Sequence, residues 1–229
     1  MKKAFRIIGI VLIIVVLFAA IIASLNAKPS NADKVWDSAM TVGNPEAKNY
    51  FIVYSDIVCP YCVAFENAII ENEAEFQEYI KEHDILLEVR VSDFLYEFGE
   101  GRPLSSRHSA LAAYCAKNEG KFWDYYNLAL TTVWNDYFKD SGKAAFSELN
   151  KLDKDYWINL GKKVGLGDTF ASCVKDETPL DEITANAAKT AKVASGLPSF
   201  KFNNYSPPGF SMSGTWEDVK TFFKAGLDS

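Results

Sequence analysis

The chain has 229 residues, 48% of them hydrophobic and 24% charged, with a formal net charge of −6. That is enough for one core with an inserted subdomain, and it argues against disordered, collagen-like and repeat architectures. The acidic balance argues against nucleic acid as a partner, because basic patches would be needed. Four cysteines are too few for a disulfide scaffold of this length, so any disulfide is functional or locally structural.

Residues 1–27 begin with Lys2, Lys3 and Arg6 and then run from Ile7 to Leu25 without a charge. The run is close to the ~20 residues that cross a bilayer as a helix, and the basic flank directs the remainder outward. The expectation is an uncleaved N-terminal transmembrane helix with the rest of the chain extracytoplasmic. A cleaved signal peptide is the weaker alternative, since Leu25 occupies a position that favours a small residue. Without these residues, which hold three basic groups and no acid, the net charge goes from −6 to −9.

Residues 28–41 read as a polar tether. After a turn at Gly43-Asn44-Pro45, Tyr50–Tyr54 is a run of β-branched and aromatic residues that predicts a buried strand. Helical spacing follows from Val63 through Ile70 and on to Phe76 and Ile80, and Ile85–Val91 predicts a second strand. Strand, helix and strand in this order form a βαβ unit with a parallel pair.

From Ser105 to about Ser195 the pattern is helical, with expected helices at 105–118, 121–132, 146–149, 155–164, 168–175 and 180–195. Strand character returns at Phe200–Phe202, a second short strand is expected at Phe210–Met212, and an amphipathic helix at Thr215–Ala225 closes the chain. The domain reading is anchor 1–27, tether 28–41, an α/β part at 42–104, a helical insert at 105–185 and the rest of the α/β part at 186–229.

The chemistry concentrates at Cys59-Pro60-Tyr61-Cys62, directly after a predicted strand and at a helix start. There the first thiol meets backbone N–H groups that lack partners and the positive end of the helix dipole, which favour a thiolate. Cys62 falls on the first turn within reach of Cys59, and Pro60 suits the first turn because it has no N–H to lose. Such a pair performs thiol–disulfide exchange through a mixed disulfide, with no cofactor beyond the dithiol itself. Zinc is the competing reading, but a structural site needs four ligands, and His83 and His108 do not form a second pair. No metal is expected. Pro198, opening a strand after a long helix, is a place for a cis peptide, although the residues alone leave cis and trans open.

Val42-Gly43-Asn44-Pro45, Tyr54 through Cys62, Gly120-Lys121-Phe122-Trp123 and Gly196-Leu197-Pro198-Ser199-Phe200, in this order, resemble the DsbA-type branch of the thioredoxin superfamily. The resemblance covers the chain from about Val42 to the C-terminus. It implies a thioredoxin fold interrupted by a helical domain, a cis Pro198 beside the dithiol, and a Leu197 backbone that pairs with substrate. It also implies clients that are exported proteins with free thiols, a membrane partner that reoxidises the dithiol, and a monomer. Glu66 matches a family acid near the active site; an exposed helix carboxylate is the alternative. Three positions depart from the family pattern. Leu197 stands where Val or Thr is usual, Tyr61 where the best-known members have His, and Val53 where some members carry a buried acid.

Cys115 and Cys173 both lie on apolar helical faces and are either a structural disulfide or two buried thiols. Trp123, Tyr125, Tyr126, Trp134, Tyr137 and Phe138 crowd one region, as core packing or as an apolar wall beside the dithiol. The leading functional expectation is an oxidase. An isomerase or reductase of the same fold, and a noncatalytic binding module with a relic dithiol, are the competing readings.

Overall fold

The computed structural model describes residues 35–140 and 146–229. The expected anchor at 1–27 lies outside the described residues; among those described, no helix is long and apolar enough to cross a membrane.

A four-stranded mixed sheet organises the α/β part, in the order β1 (Thr41–Gly43), β3 (Ile85–Val91), β2 (Asn49–Ser55), β4 (Ser199–Phe202). β2 and β3 are parallel, with Val53 opposite Val89, and β1 and β4 run antiparallel to their neighbours at the two edges. Alternation along the strands sends Phe51, Val53, Ile85, Leu87, Phe200 and Phe202 to one face. There they pack with Phe65 of α1 (Pro60–Ile70), Phe76 of α2 (Glu73–Glu82) and Phe223 of α10 (Trp216–Leu227). The ring of Phe65 touches those of Phe200, Phe210 and Phe223, so the dithiol helix is seated on aromatic packing at its middle.

The opposite face of β3 carries Glu88 and Arg90, two residues apart and so on one side of the strand. The Arg90 guanidinium donates to Glu88 at 2.7 Å and lies 4.2 Å from the Trp36 ring centroid. Glu88 also accepts from the Tyr50 hydroxyl. A buried carboxylate is thus provided with a cation and several donors, as burial of charge requires.

The helical block comprises α3 (Phe94–Phe98), α4 (Leu104–Asn118), α5 (Phe122–Val133), α6 (Phe146–Leu149), α7 (Lys154–Lys162), α8 (Asp168–Lys175) and α9 (Leu180–Thr190). α5 continues into a π turn at Trp134–Phe138, where Lys139 N–H donates to the Trp134 carbonyl. The block is docked on the sheet by the Tyr114 hydroxyl, which donates to the Val91 carbonyl at 3.0 Å and accepts from the Asn186 amide at 2.8 Å.

Three details differ from the sequence reading. Residues 38–41 are not all tether, since Ser38–Met40 form a 3-10 turn and Thr41 starts β1. Gly43 ends that strand at φ +105, and a Cβ there would stand 2.2 Å from the Ile85 carbonyl oxygen, so only glycine fits. The helix after the dithiol is two helices, broken at Glu71-Asn72, where Asn72 donates its side-chain amide back to the Ala68 carbonyl. Phe210–Met212 is not a strand: Phe210 is buried because its ring packs on Phe65 and Phe222, and the chain around it forms no ladder.

Candidate active site

β2 ends at Ser55, and Asp56-Ile57-Val58 carries the chain to Cys59, the N-cap of α1. Cys59 has extended backbone angles, Pro60 occupies the first helical position, and Cys62 lies on the first turn. The local reasons are those read from the sequence: a strand that must stop, and a proline already shaped for a helix start. Both cysteines are free thiols and both are buried. Tyr61, between them in sequence, points its ring outward and is 37% exposed.

The Leu197–Pro198 peptide is cis and leads into β4. It brings the Leu197 carbonyl to 3.5 Å from Cys59 Sγ, which donates to it. Residues 138 apart in sequence thus meet at the outer sulfur. Cys62 is fully enclosed, and burial, followed by the adjoining Cys59 sulfur and by Glu66, pushes its thiol well above the ordinary range. The two sulfurs are unequal: one sits at the helix mouth beside the Leu197 carbonyl, and burial holds the other protonated behind it.

Glu66 is not an exposed helix carboxylate. It stands one turn beyond Cys62 on the same helix and is buried, and neither oxygen has a hydrogen-bond partner of ordinary length. The hydroxyls of Ser55 and Tyr126, bonded to each other at 3.2 Å, lie near enough to offset part of the burial. The net effect of desolvation is to push the carboxyl up to about 7. A hydrogen bond weakens steeply with distance, so these longer approaches leave the carboxyl without a close donor.

Asp56 lies between the end of β2 and Cys59. In the folded chain its buried carboxylate accepts from the Val58 N–H at 3.1 Å, the Leu95 N–H at 3.0 Å and the Ser106 hydroxyl at 2.6 Å. One side chain therefore fixes the turn before Cys59, the first turn of α3 and the first turn of α4. Burial raises it to about 6 against the opposing pull of those donors.

Cys115 and Cys173 are bonded, tying α4 to α8 with Cα atoms 5.9 Å apart. The aromatic group divides. Tyr125, Tyr126 and Phe138 are buried in the core of the helical block, while Trp123, Trp134 and Tyr137 pack against it half-buried. His108 Nδ1 lies 3.4 Å from the Leu152 carbonyl.

A strand–turn–helix with a Cys-x-x-Cys at its N-cap, facing a cis-proline strand start across a mixed sheet, defines the thioredoxin-like class of fold. The thioredoxin family matches residues 36–225, and the chain belongs to it. Among solved structures it is similar to α-DsbA1 of Wolbachia pipientis (14% identity, TM-score 0.60, 87% of this chain and 96% of that one). It is also similar to oxidised BdbD of Bacillus subtilis (15% identity, TM-score 0.59, 83% and 93%). The reduced disulfide bond oxidoreductase DsbG of Mycobacterium tuberculosis gives 16% identity, TM-score 0.57, 85% and 86%. No curated protein matches by sequence.

Proposed function

We propose that the chain is a protein thiol–disulfide oxidoreductase that works as a dithiol oxidase outside the cytoplasm. The observation that carries the reading is the asymmetry of the pair, with Cys59 at the helix mouth beside the Leu197 carbonyl and Cys62 enclosed behind it. In the oxidised enzyme a client thiolate attacks Cys59 Sγ, the Cys59–Cys62 bond breaks, and a mixed disulfide forms. The electron pair leaves on Cys62, which takes up a proton. A second client thiolate then attacks the client sulfur of the mixed disulfide and releases Cys59. The client loses two electrons and gains a disulfide, and the dithiol is left reduced.

Glu66, close to Cys62 and with a carboxyl near 7, is suited to exchange a proton with it at neutral pH. Tyr61 and Val193 are exposed apolar residues in the segments that carry Cys59 and Leu197, and they offer an unfolded client a place to rest.

The rest of the reading comes from the sequence. Residues 1–27 anchor the chain, the clients are exported proteins with free thiols, and a membrane partner reoxidises the dithiol of a monomer that has no other cofactor. The DsbA and DsbG relatives of the fold support the chemistry. The test supplies oxidised protein to reduced, unfolded ribonuclease and, separately, to scrambled ribonuclease. Rapid formation of disulfides in the first with little rescue of the second supports an oxidase. The reverse order supports an isomerase, and inactivity in both leaves a binding module.

A further inference from the structure

Ser55, the last residue of β2, and Tyr126 on α5 are both buried, and the Tyr126 hydroxyl donates to Ser55 Oγ at 3.2 Å. The bond joins the sheet to the helical block beside α1. A hydroxyl accepts and donates at once. Having accepted from Tyr126, the Ser55 O–H meets, among the described residues, no acceptor at ordinary hydrogen-bond length. Buried polar groups in folded proteins are nearly always paired, so an unused donor in this place calls for an acceptor.

The acceptor is Glu66, one turn beyond Cys62. Both of its oxygens are enclosed without a donor at ordinary length, and the hydroxyls that stand against them are those of Ser55 and Tyr126. The other group facing it that titrates is Cys62, on its own helix. β1 and β3 present Thr41, Val42, Leu87 and Val89, and the Glu73 carboxylate of α2 is exposed. None of these is a cation. Burial, and then Glu66 itself, push the Tyr126 phenol well above its ordinary range, so it stays a donor. A neutral carboxyl tolerates such an enclosure, whereas a carboxylate there needs donors.

We propose that Ser55 and Tyr126 are positioning residues for the dithiol chemistry: their hydroxyls form a donor chain, Tyr126 to Ser55 to Glu66, that closes as Glu66 gives its proton to Cys62. The inference rests on the exchange reading above and assigns the proton's side of it. When the Cys59–Cys62 bond breaks, its electron pair stays on Cys62 Sγ. The Glu66 O–H bond then breaks, an S–H bond forms, and the negative charge passes to the carboxylate. Both hydroxyls keep their own protons and only turn toward that charge. Each bond of the chain polarises the next, so the strand and the helical block together stabilise the charge that the dithiol releases.

The test uses the full chain with Cys59 and Cys62 oxidised to each other. NMR follows the Glu66 carboxyl carbon and the Tyr126 ring carbon Cζ against pH. In parallel, a small thiol reduces the pair, and the second-order rate is divided by the ionised fraction of that thiol. In the parent both carbons should move through one shared midpoint, and the corrected rate should fall as pH rises through it. Ser55→Ala and Tyr126→Phe each remove a donor to the ionised form and should raise the midpoint by about one pH unit, with the fall in rate moving alongside. The double variant should raise it further. Glu66→Gln should lose both the Tyr126 movement and the fall in rate. A purely structural role for the hydroxyls would lower stability and leave the midpoint in place. A midpoint unmoved in both single variants, or a Tyr126 signal that ignores Glu66 in the parent, would overturn the proposal; the second reading stands even if neither variant folds. Should the oxidised pair resist the thiol at every pH, the exchange reading falls and takes this inference with it. Normal exchange with unmoved midpoints strikes the inference alone.

Discussion

Glu66 lies one helical turn past Cys62 on α1, and both side chains are shut away from solvent. The pair places an acid with an elevated affinity for protons behind the inner sulfur, which couples the stability of the fold to pH.

The ordinary carboxyl value of Glu66 is 4.5, and burial raises it to about 7. Between those values the folded chain holds a proton that the unfolded chain has released. The contribution to stability is therefore fully present below about 4.5 and is lost as pH rises through 7, the reverse of a salt-bridged acid. The shift corresponds to roughly 3 kcal/mol. Urea unfolding at about pH 5 and about pH 8 should show the parent losing that much more stability than Glu66→Gln over the interval. Equal losses would mean that the carboxyl is solvated or paired.

Asp56 joins three elements through one carboxylate, so its removal should be felt in all of them. Ser106→Ala deletes the 2.6 Å bond alone and is expected to cost about 1–2 kcal/mol. Asp56→Ala, which strands the Val58 and Leu95 amides as well, is expected to cost more than about 3 kcal/mol and to slow thiol exchange at Cys59. Chemical unfolding together with stopped-flow exchange would check both. An Asp56→Ala chain as stable as Ser106→Ala would show that the two amides find other partners.

The Cys115–Cys173 bond closes a loop with a sequence separation of 58. In the chain-entropy model such a closure stabilises by about 4 kcal/mol. A variant with serine at both positions should lose about that much in unfolding free energy, while its exchange rate at Cys59 under native conditions stays near that of the parent. A large loss of exchange with no loss of stability would place the bond in the redox chemistry.

Arg90 compensates a Glu88 side chain that is almost wholly buried. Arg90→Ala should therefore cost about 3–5 kcal/mol, because it leaves a buried charge without its cation. Replacing both residues, Glu88→Leu with Arg90→Met, is expected to cost less than the single change. The order of the two unfolding midpoints decides it.

Local patterns carried most of the fold. The βαβ unit and the dithiol at its helix start are written in adjacent residues, and alternation along Ile85–Val91 needs no tertiary knowledge. β1 was missed because Thr41-Val42-Gly43 is too short for a pattern and becomes a strand only by pairing with Leu86, Leu87 and Glu88. Phe210 misled for the opposite reason: its apolarity serves a ring cluster and not a ladder. The role of Asp56 was hidden because Leu95 and Ser106 lie 39 and 50 residues away. The pairing of Cys115 with Cys173 could not be read either, since helical spacing does not say which helices touch. For Glu66 the sequence supplied an acid one turn from Cys62, a signal at i+4, but its isolation depends on the sheet and α5 closing around it.

The most direct test of the central claim, that Cys59 is the exchanging sulfur and Cys62 the one that resolves, compares two single variants. Each is mixed with a disulfide-bonded client, and mixed disulfides are counted by mass spectrometry after an acid quench. Cys62→Ala should accumulate client bonded to Cys59, and Cys59→Ala should accumulate almost none. Trapping through Cys62 at a comparable rate, or no trapping by Cys62→Ala, would contradict the assignment.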